Sequence, residues 1–174
     1  MTAIAAPMTD ALEALSFDDV YANHVGFVWR VLRACGVPAE QLEDAAQDVF
    51  VVVHRRLRDF EGRSSITTWL FAITRKVAAR HRRRTPAQEP PPSEHVAASD
   101  PFDQVARSEA ARTIAAALDR LDEDKRIVFA LVELEQVSVA EVARMLDINP
   151  NTAHSRLRLA RAEFAAAVRR RSPR

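Results

Sequence analysis

Apolar residues recur along this chain at steps of three and four. Phe17, Val20, His24, Phe27, Val28, Val31 and Leu32 form one such stripe, and Leu42, Ala45, Ala46, Val49, Phe50, Val53 and Leu57 form a second. Either series lines one side of an α-helix, so both segments are predicted as amphipathic helices. His24 falls on the first stripe and is expected as a core or boundary histidine, not a ligand. A third helix is predicted to begin at the Ser64, Ser65 and Thr67 cluster, whose hydroxyls suit an N-cap, and to bury Trp69, Leu70, Ile73 and Val77. Alternating apolar runs and Asn-Gly or Asp-Gly hairpin dipeptides are missing, so the expected fold class is all-α.

The periodicity breaks at "TPAQEPPPSEHVAASDP" (85–101), where the prolines forbid a continuous helix. This stretch is expected to be a flexible linker between two small helical modules, 10–84 and 102–171. Fully extended at about 3 Å per residue it would reach roughly 50 Å, comparable with about 15 base pairs of duplex. Beyond it, one helix is predicted from near Phe102, with Val105, Ile114, Leu118 and Leu121 inward, and another with Ile127, Val128, Leu131 and Leu134.

The next segment, "SVAEVARMLDINPNTAHSRLRLARAEF", is the most specific in the chain. Ser138 and Glu141 have capping-box spacing before the apolar set Val139, Val142, Ala143 and Leu146. After the short turn Asp147-Ile148, Asn149 can cap a new helix with Pro150 at its first position. Two helices joined so tightly, the second one basic, have the pattern of a helix-turn-helix. In that motif the early turns of the second helix face base edges and its flanks meet phosphate. Thr152, His154, Ser155 and Arg158 share one expected face, with His154 and Arg158 as base-contact candidates. Arg156 and Arg161 are assigned to phosphates, Leu157 and Phe164 to the inside. A helical hairpin with a basic exposed face is the plainer alternative.

Charge changes the picture. The net formal charge is only +1, yet residues 61–84 carry seven basic side chains and one acidic, and 149–174 carry the same. Residues 1–60 carry five basic and nine acidic, and 85–148 six and thirteen. Two basic segments on acidic surroundings suggest two grips on a polyanion. No apolar run reaches the roughly 20 residues needed to span a bilayer, and no secretion signal opens the chain, so a cytoplasmic protein that is not membrane-embedded is expected. The single cysteine, Cys35, allows no internal disulfide and reads as a buried small residue. Phosphate loops, H-E-x-x-H, G-x-S-x-G and paired cysteines do not occur; the expectation is a protein that is not an enzyme and needs no cofactor.

Both modules resemble RNA polymerase sigma factors of the sigma-70 family, in particular the compact extracytoplasmic-function (ECF) group. The likeness rests on "EDAAQDVFVVVHRRLRDFEGRSSITTWLFAITRKVAARHRRR" (43–84) for sigma region 2 and "LDEDKRIVFALVELEQVSVAEVARMLDINPNTAHSRLRLARAEF" (121–164) for sigma region 4, with 17–37 ahead of them. The resemblance implies a three-to-four-helix bundle followed by a helix-turn-helix. It also implies that Asp44, Gln47 and Asp48, in the stretch Asp44 to Phe50, dock on the β′ clamp helices of core RNA polymerase. Asp44 and Asp48, four apart, share a helix face with Gln47 near, and Glu40 precedes them. A carboxylate pair for metal or acid-base chemistry is the other reading of these residues, and no histidine or third carboxylate is expected to converge on it.

The resemblance further implies that the loop 59–65 receives a base flipped from promoter DNA at the −10 element, and that the third helix tracks the opened strand. Arg63, Ser64, Arg75, Lys76, Arg80, Arg82, Arg83 and Arg84, with His81 among them, are then the −10 contacts, and Thr152, His154, Ser155, Arg156, Arg158 and Arg161 the −35 contacts. Flipping costs a few kcal/mol per base, which a pocket and a positive surface offset. The implied partners are core RNA polymerase, through the β′ clamp helices and the β flap, promoter DNA, and an anti-sigma factor. Three departures stand out. Lys76 replaces an asparagine common in the −10 helix, Asp147 replaces a frequent turn glycine, and Asn151-Thr152-Ala153 stands where "GTV" is usual. A stand-alone helix-turn-helix regulator would account for 138–164 but not for the acidic patch at 44–48, and a helical adaptor would bind no nucleic acid.

Overall fold

The computed structural model describes residues 15–84 and 109–171, with side chains of residues 84, 109–112 and 171 excepted. Among these residues every regular element is helical. α1 (Phe17–Ala34), α2 (Leu42–Arg56) and α3 (Ile66–Arg84) form the first half. α4 (Glu109–Asp119), α5 (Glu123–Phe129), α6 (Val139–Leu146) and α7 (Pro150–Arg171) form the second. The expected linker, together with Phe102 and Val105, lies outside the described residues.

The caps explain where the helices begin. Ser16, Ser65, Asp122 and Ser138 each accept a backbone N–H three residues on, from Asp19, Thr68, Lys125 and Glu141, so each satisfies one orphan donor of its helix. Asn149 Oδ1 accepts from Asn151 N at 2.8 Å, opening α7 behind Pro150 as the sequence predicts. The turn between α6 and α7 closes through Asp147 at φ 55°, ψ 49°, a left-handed conformation that Asp tolerates better than most residues. α1 stops at Gly36, at φ +78°, where an added Cβ would also stand 3.2 Å from the Arg126 guanidinium.

In the first half α1, α2 and α3 pack on one another. Val28, Leu32, Ala45, Val49, Val53 and Leu70 are fully buried at the centre. Trp69 is only partly buried and packs against this core from its edge, its ring tilted against Phe60 at 5.3 Å. Phe17 and His24 are likewise half-buried, and burial holds the His24 pKa below its usual value while Glu135 opposes the shift. Cys35 is buried as expected, and burial pushes its thiol up to about 11.

The second half departs from expectation in three places. α5 continues as a π-helical turn, Ala130–Leu134, which closes with Glu135 N donating to Ala130 O and a left-handed Gln136. Ile114 and Leu134, expected inward, are 46% and 41% exposed; the wider π turn rotates Leu134 off the face that buries Ile127, Val128 and Leu131. The third departure is larger. Ile127, Val128, Ala130, Leu131, Val142 and Leu157 belong to the same buried cluster as the first half, and only Leu121, Phe129 and Ala160 gather separately. The two halves therefore share a core, with α5 and the π turn against α1, and α6 against α3.

Candidate nucleic-acid and polymerase interface

α3 buries Leu70, Phe71, Ile73, Thr74, Val77, Ala78 and His81. The hydroxyl of Thr74 donates to Leu70 O at 2.8 Å, which satisfies the polar group inside the bundle. With that stripe turned inward, Arg75, Lys76, Arg80, Arg82 and Arg83 are left exposed on the outer side. The Arg84 side chain lies outside the described residues. Ahead of the helix, Arg63 and Ser64 are exposed in the loop that Gly62 turns at φ 68°, and Arg63 pairs with Glu61.

On α3 itself, two cations are also held by acids from elsewhere in the fold. Arg80 donates to Asp48 Oδ2 at 2.5 Å, and Arg82 pairs with Glu123 from the second half. His81 is 6% exposed and its Nε2 lies 2.8 Å from the same Asp48 oxygen. The expectation that no histidine converges on the 44–48 carboxylates is thus corrected: α3 crosses α2 so that His81, 33 residues away, meets Asp48. His81 is a structural partner of Asp48 and not an open contact for DNA. Its hydrogen bond, followed by that of Arg80, holds the Asp48 carboxyl below the usual range. A carboxylate committed to hydrogen-bond donors in this way is a poor start for metal binding; among the described residues no three His, Cys, Asp or Glu side chains are placed to hold a metal ion.

On the outer side of α2, Glu43, Asp44 and Gln47 are exposed, Asp48 is half-exposed, and Val51 is open to solvent at 41%. Ala45, Ala46, Val49 and Phe50 point the other way into the core. This gives an acidic, partly apolar stripe facing outward, the arrangement a basic partner helix would meet.

α7 is simpler. Ala153, Leu157, Ala160 and Ala167 are buried, and Phe164 packs on Phe129 at a centroid separation of 4.8 Å. Thr152, His154, Ser155 and Arg158 are all exposed on the early turns, as the spacing predicts. Arg156 and Arg161, expected on phosphate, also hold ion pairs inside the second half, with Asp124 and with Glu133 at 2.6 Å. Across the base of this unit Lys125 bridges Asp122 and Glu163, both at 2.7 Å. That contact raises the Lys125 pKa and, through Lys125, lowers that of Asp122.

Two packed helices joined by a tight left-handed turn, the second with an exposed polar face, define a helix-turn-helix DNA-binding unit, here packed against the first helical bundle. Comparison with known proteins specifies the class further. Residues 20–86 match the family description "Sigma-70 region 2" and residues 111–164 match "Sigma-70, region 4". The ECF RNA polymerase sigma factor SigM of Mycobacterium tuberculosis is 30% identical over 150 residues, covering 86% of this chain and 76% of SigM. The RNA polymerase sigma factor CnrH of Cupriavidus metallidurans is 28% identical over 174 residues, covering 88% and 86%. The structure of CnrH in complex with the cytosolic domain of CnrY superposes with a TM-score of 0.67 at 25% identity, over 94% of this chain and 96% of that one. The fold is shared as well with RpoE of Bartonella quintana, solved with the anti-sigma factor NepR, at a TM-score of 0.67 and 18% identity, over 88% and 96%.

The chain belongs to the ECF group of the sigma-70 family. It is a sigma factor, which directs RNA polymerase to promoters for transcription initiation; a stand-alone regulator is not favoured, because the region 2 match covers the half that such a regulator leaves unexplained. Among the described residues no helix is long and apolar enough to cross a membrane.

Proposed function

We propose that the first half, within residues 10–84, docks on the β′ clamp helices of core polymerase through Asp44, Gln47 and Asp48 and opens the −10 element with Arg63, Ser64, Arg75, Lys76, Arg80, Arg82, Arg83 and Arg84. The second half, within 102–171 and tethered by 85–101, reads the −35 duplex through Thr152, His154, Ser155 and Arg158, with Arg156 and Arg161 toward phosphate and the β flap nearby. The protein works in the cytoplasm, is not itself an enzyme, and is held in check by an anti-sigma partner, as the complexes of the related CnrH and RpoE suggest.

The observation that carries this reading is the division of α7: four polar residues of its first turns stand exposed together, opposite buried Ala153, Leu157 and Ala160, immediately after a tight left-handed turn. The test is binding of labelled protein to core RNA polymerase beside run-off transcription from a promoter pool. Asp44→Arg is the variant of choice, because Asp44 is exposed whereas Asp48 also holds His81 and Arg80. Submicromolar binding, weakened at least about tenfold by Asp44→Arg, or about 1.4 kcal/mol, is expected, together with specific transcripts. Binding to duplex DNA with no affinity for polymerase would overturn the reading.

A further inference from the structure

His81 continues the inward face of α3 after Thr74, Val77 and Ala78, yet it is a polar residue in an apolar series. Its Nε2 lies 2.8 Å from Oδ2 of Asp48 on α2. An ionised carboxylate only accepts hydrogen bonds, so the ring nitrogen is the donor. Arg80 donates to the same oxygen at 2.5 Å. Among the described residues Oδ1 of Asp48 accepts no hydrogen bond. The two donors differ in freedom, because the His81 side chain is 8% exposed and that of Arg80 46%. A ring buried between packed helices keeps one orientation, whereas a half-exposed guanidinium can leave its partner.

Asp48 stands at the edge of the acidic stripe of α2, one turn after the exposed Asp44. A side chain on an open helix face samples more than one rotamer, and fixing it in an interface costs entropy. We propose that His81 is a positioning residue for polymerase docking: it anchors one oxygen of Asp48 to α3 and leaves the other for a basic partner helix. The inference rests on the assignment of Asp44, Gln47 and Asp48 to the polymerase. Two effects of His81 oppose each other. Its N–H partly offsets the negative charge and weakens the pull on a cation, while its fixed ring removes the ordering cost. The first acts on a side chain that is 40% exposed, where solvent screens it. The second is geometric and is not screened. Positioning therefore outweighs the lost attraction, and removing the donor should weaken docking.

The test is equilibrium binding of the labelled full chain to core RNA polymerase. His81→Met fills the site with an adaptable apolar side chain and removes the donor. His81→Gln keeps a donor, its amide nitrogen reaching about as far as the ring Nε2. Positioning predicts that His81→Met weakens binding about tenfold, the size of one lost hydrogen bond to a charged group, and that His81→Gln stays within about twofold of wild type. In an Asp48→Ala background His81→Met changes nothing further, since no carboxylate is left to orient. A merely structural role would lower affinity by the same factor in both backgrounds, and a purely electrostatic one would tighten binding in His81→Met. Either result overturns the inference. Circular dichroism at the assay temperature checks that each variant is folded, and His81→Leu, read in the same two backgrounds, replaces the methionine variant if it is not. Asp44→Arg separates the inference from its premise. If neither Asp44→Arg nor Asp48→Ala weakens binding, the docking assignment falls and the inference with it; if both do and His81→Met does not, only the inference falls.

Discussion

The basic helices α3 and α7 sit in segments of identical charge, yet the fold treats them differently. α3 is wedged between α1 and α2 by large side chains, with Leu70 and Phe71 essentially inaccessible, and its cations are drawn on by acids from α2 and from the second half. α7 lies on its neighbours through alanines, one leucine and the half-buried Phe164, its paired arginines find acids within their own half, and its early polar face is open. Net charge therefore says where a polyanion could bind but not whether the charges are available. Availability is set by which carboxylates the tertiary fold brings within reach.

The largest expected effect sharpens the contrast in anchoring. Phe71→Ala empties a closed site between three helices and should cost about 3–5 kcal/mol in urea unfolding, while Ala153→Gly, at the matching inward position of α7, should cost only about 1 kcal/mol through helix propensity. Comparable losses would mean that α7 is anchored as firmly as α3. Next in size is the contrast between open and paired arginines within α7. Arg158→Ala should lower affinity for the cognate −35 duplex by about 1–3 kcal/mol and relax the preference at one base pair, as expected for a bidentate base contact. Arg161→Ala, whose guanidinium is shared with Glu133, should weaken all sequences alike and by less. A base-specific loss at Arg161 would reverse the two roles.

Much of this was legible in the residue pattern because it depends on neighbours close in sequence. Caps at Ser65, Ser138 and Asn149, the left-handed Asp147 and the inward faces of α1 to α3 follow from spacings of three and four residues. The outward face of Thr152, His154, Ser155 and Arg158 followed for the same reason. What was not legible depends on contacts between distant segments. Nothing near Asp48 announces His81, nothing near Arg82 announces Glu123, and Glu141 has perfect local spacing for a capping box that a cross-module contact overrides. The π turn was hidden too, since Ala130–Leu134 reads as ordinary helix and its extra residue shows only in the exposure of Leu134.

The smallest expected effect concerns Asp48, the carboxylate through which α2 meets Arg80 and His81 of α3. The Asp48 carboxyl is held below its usual range, first by the hydrogen bond with His81 and then by Arg80. Its value in the unfolded chain is about 3.9, so the folded state binds this proton less tightly than the unfolded one. The contribution to stability is therefore fully present above that pH and is lost as pH falls through the folded value. Asp48→Asn removes the titrating group, so its melting temperature should lie below that of the wild type at neutral pH and approach it as the solution is taken below about pH 4. Because the Asp48 side chain is 40% exposed, solvent screens the pair and the gap should be modest. A gap that stays constant into acid would mean that Asp48 supports the α2–α3 contact by shape and hydrogen bonding alone, and the electrostatic tie between these two helices would have to be abandoned.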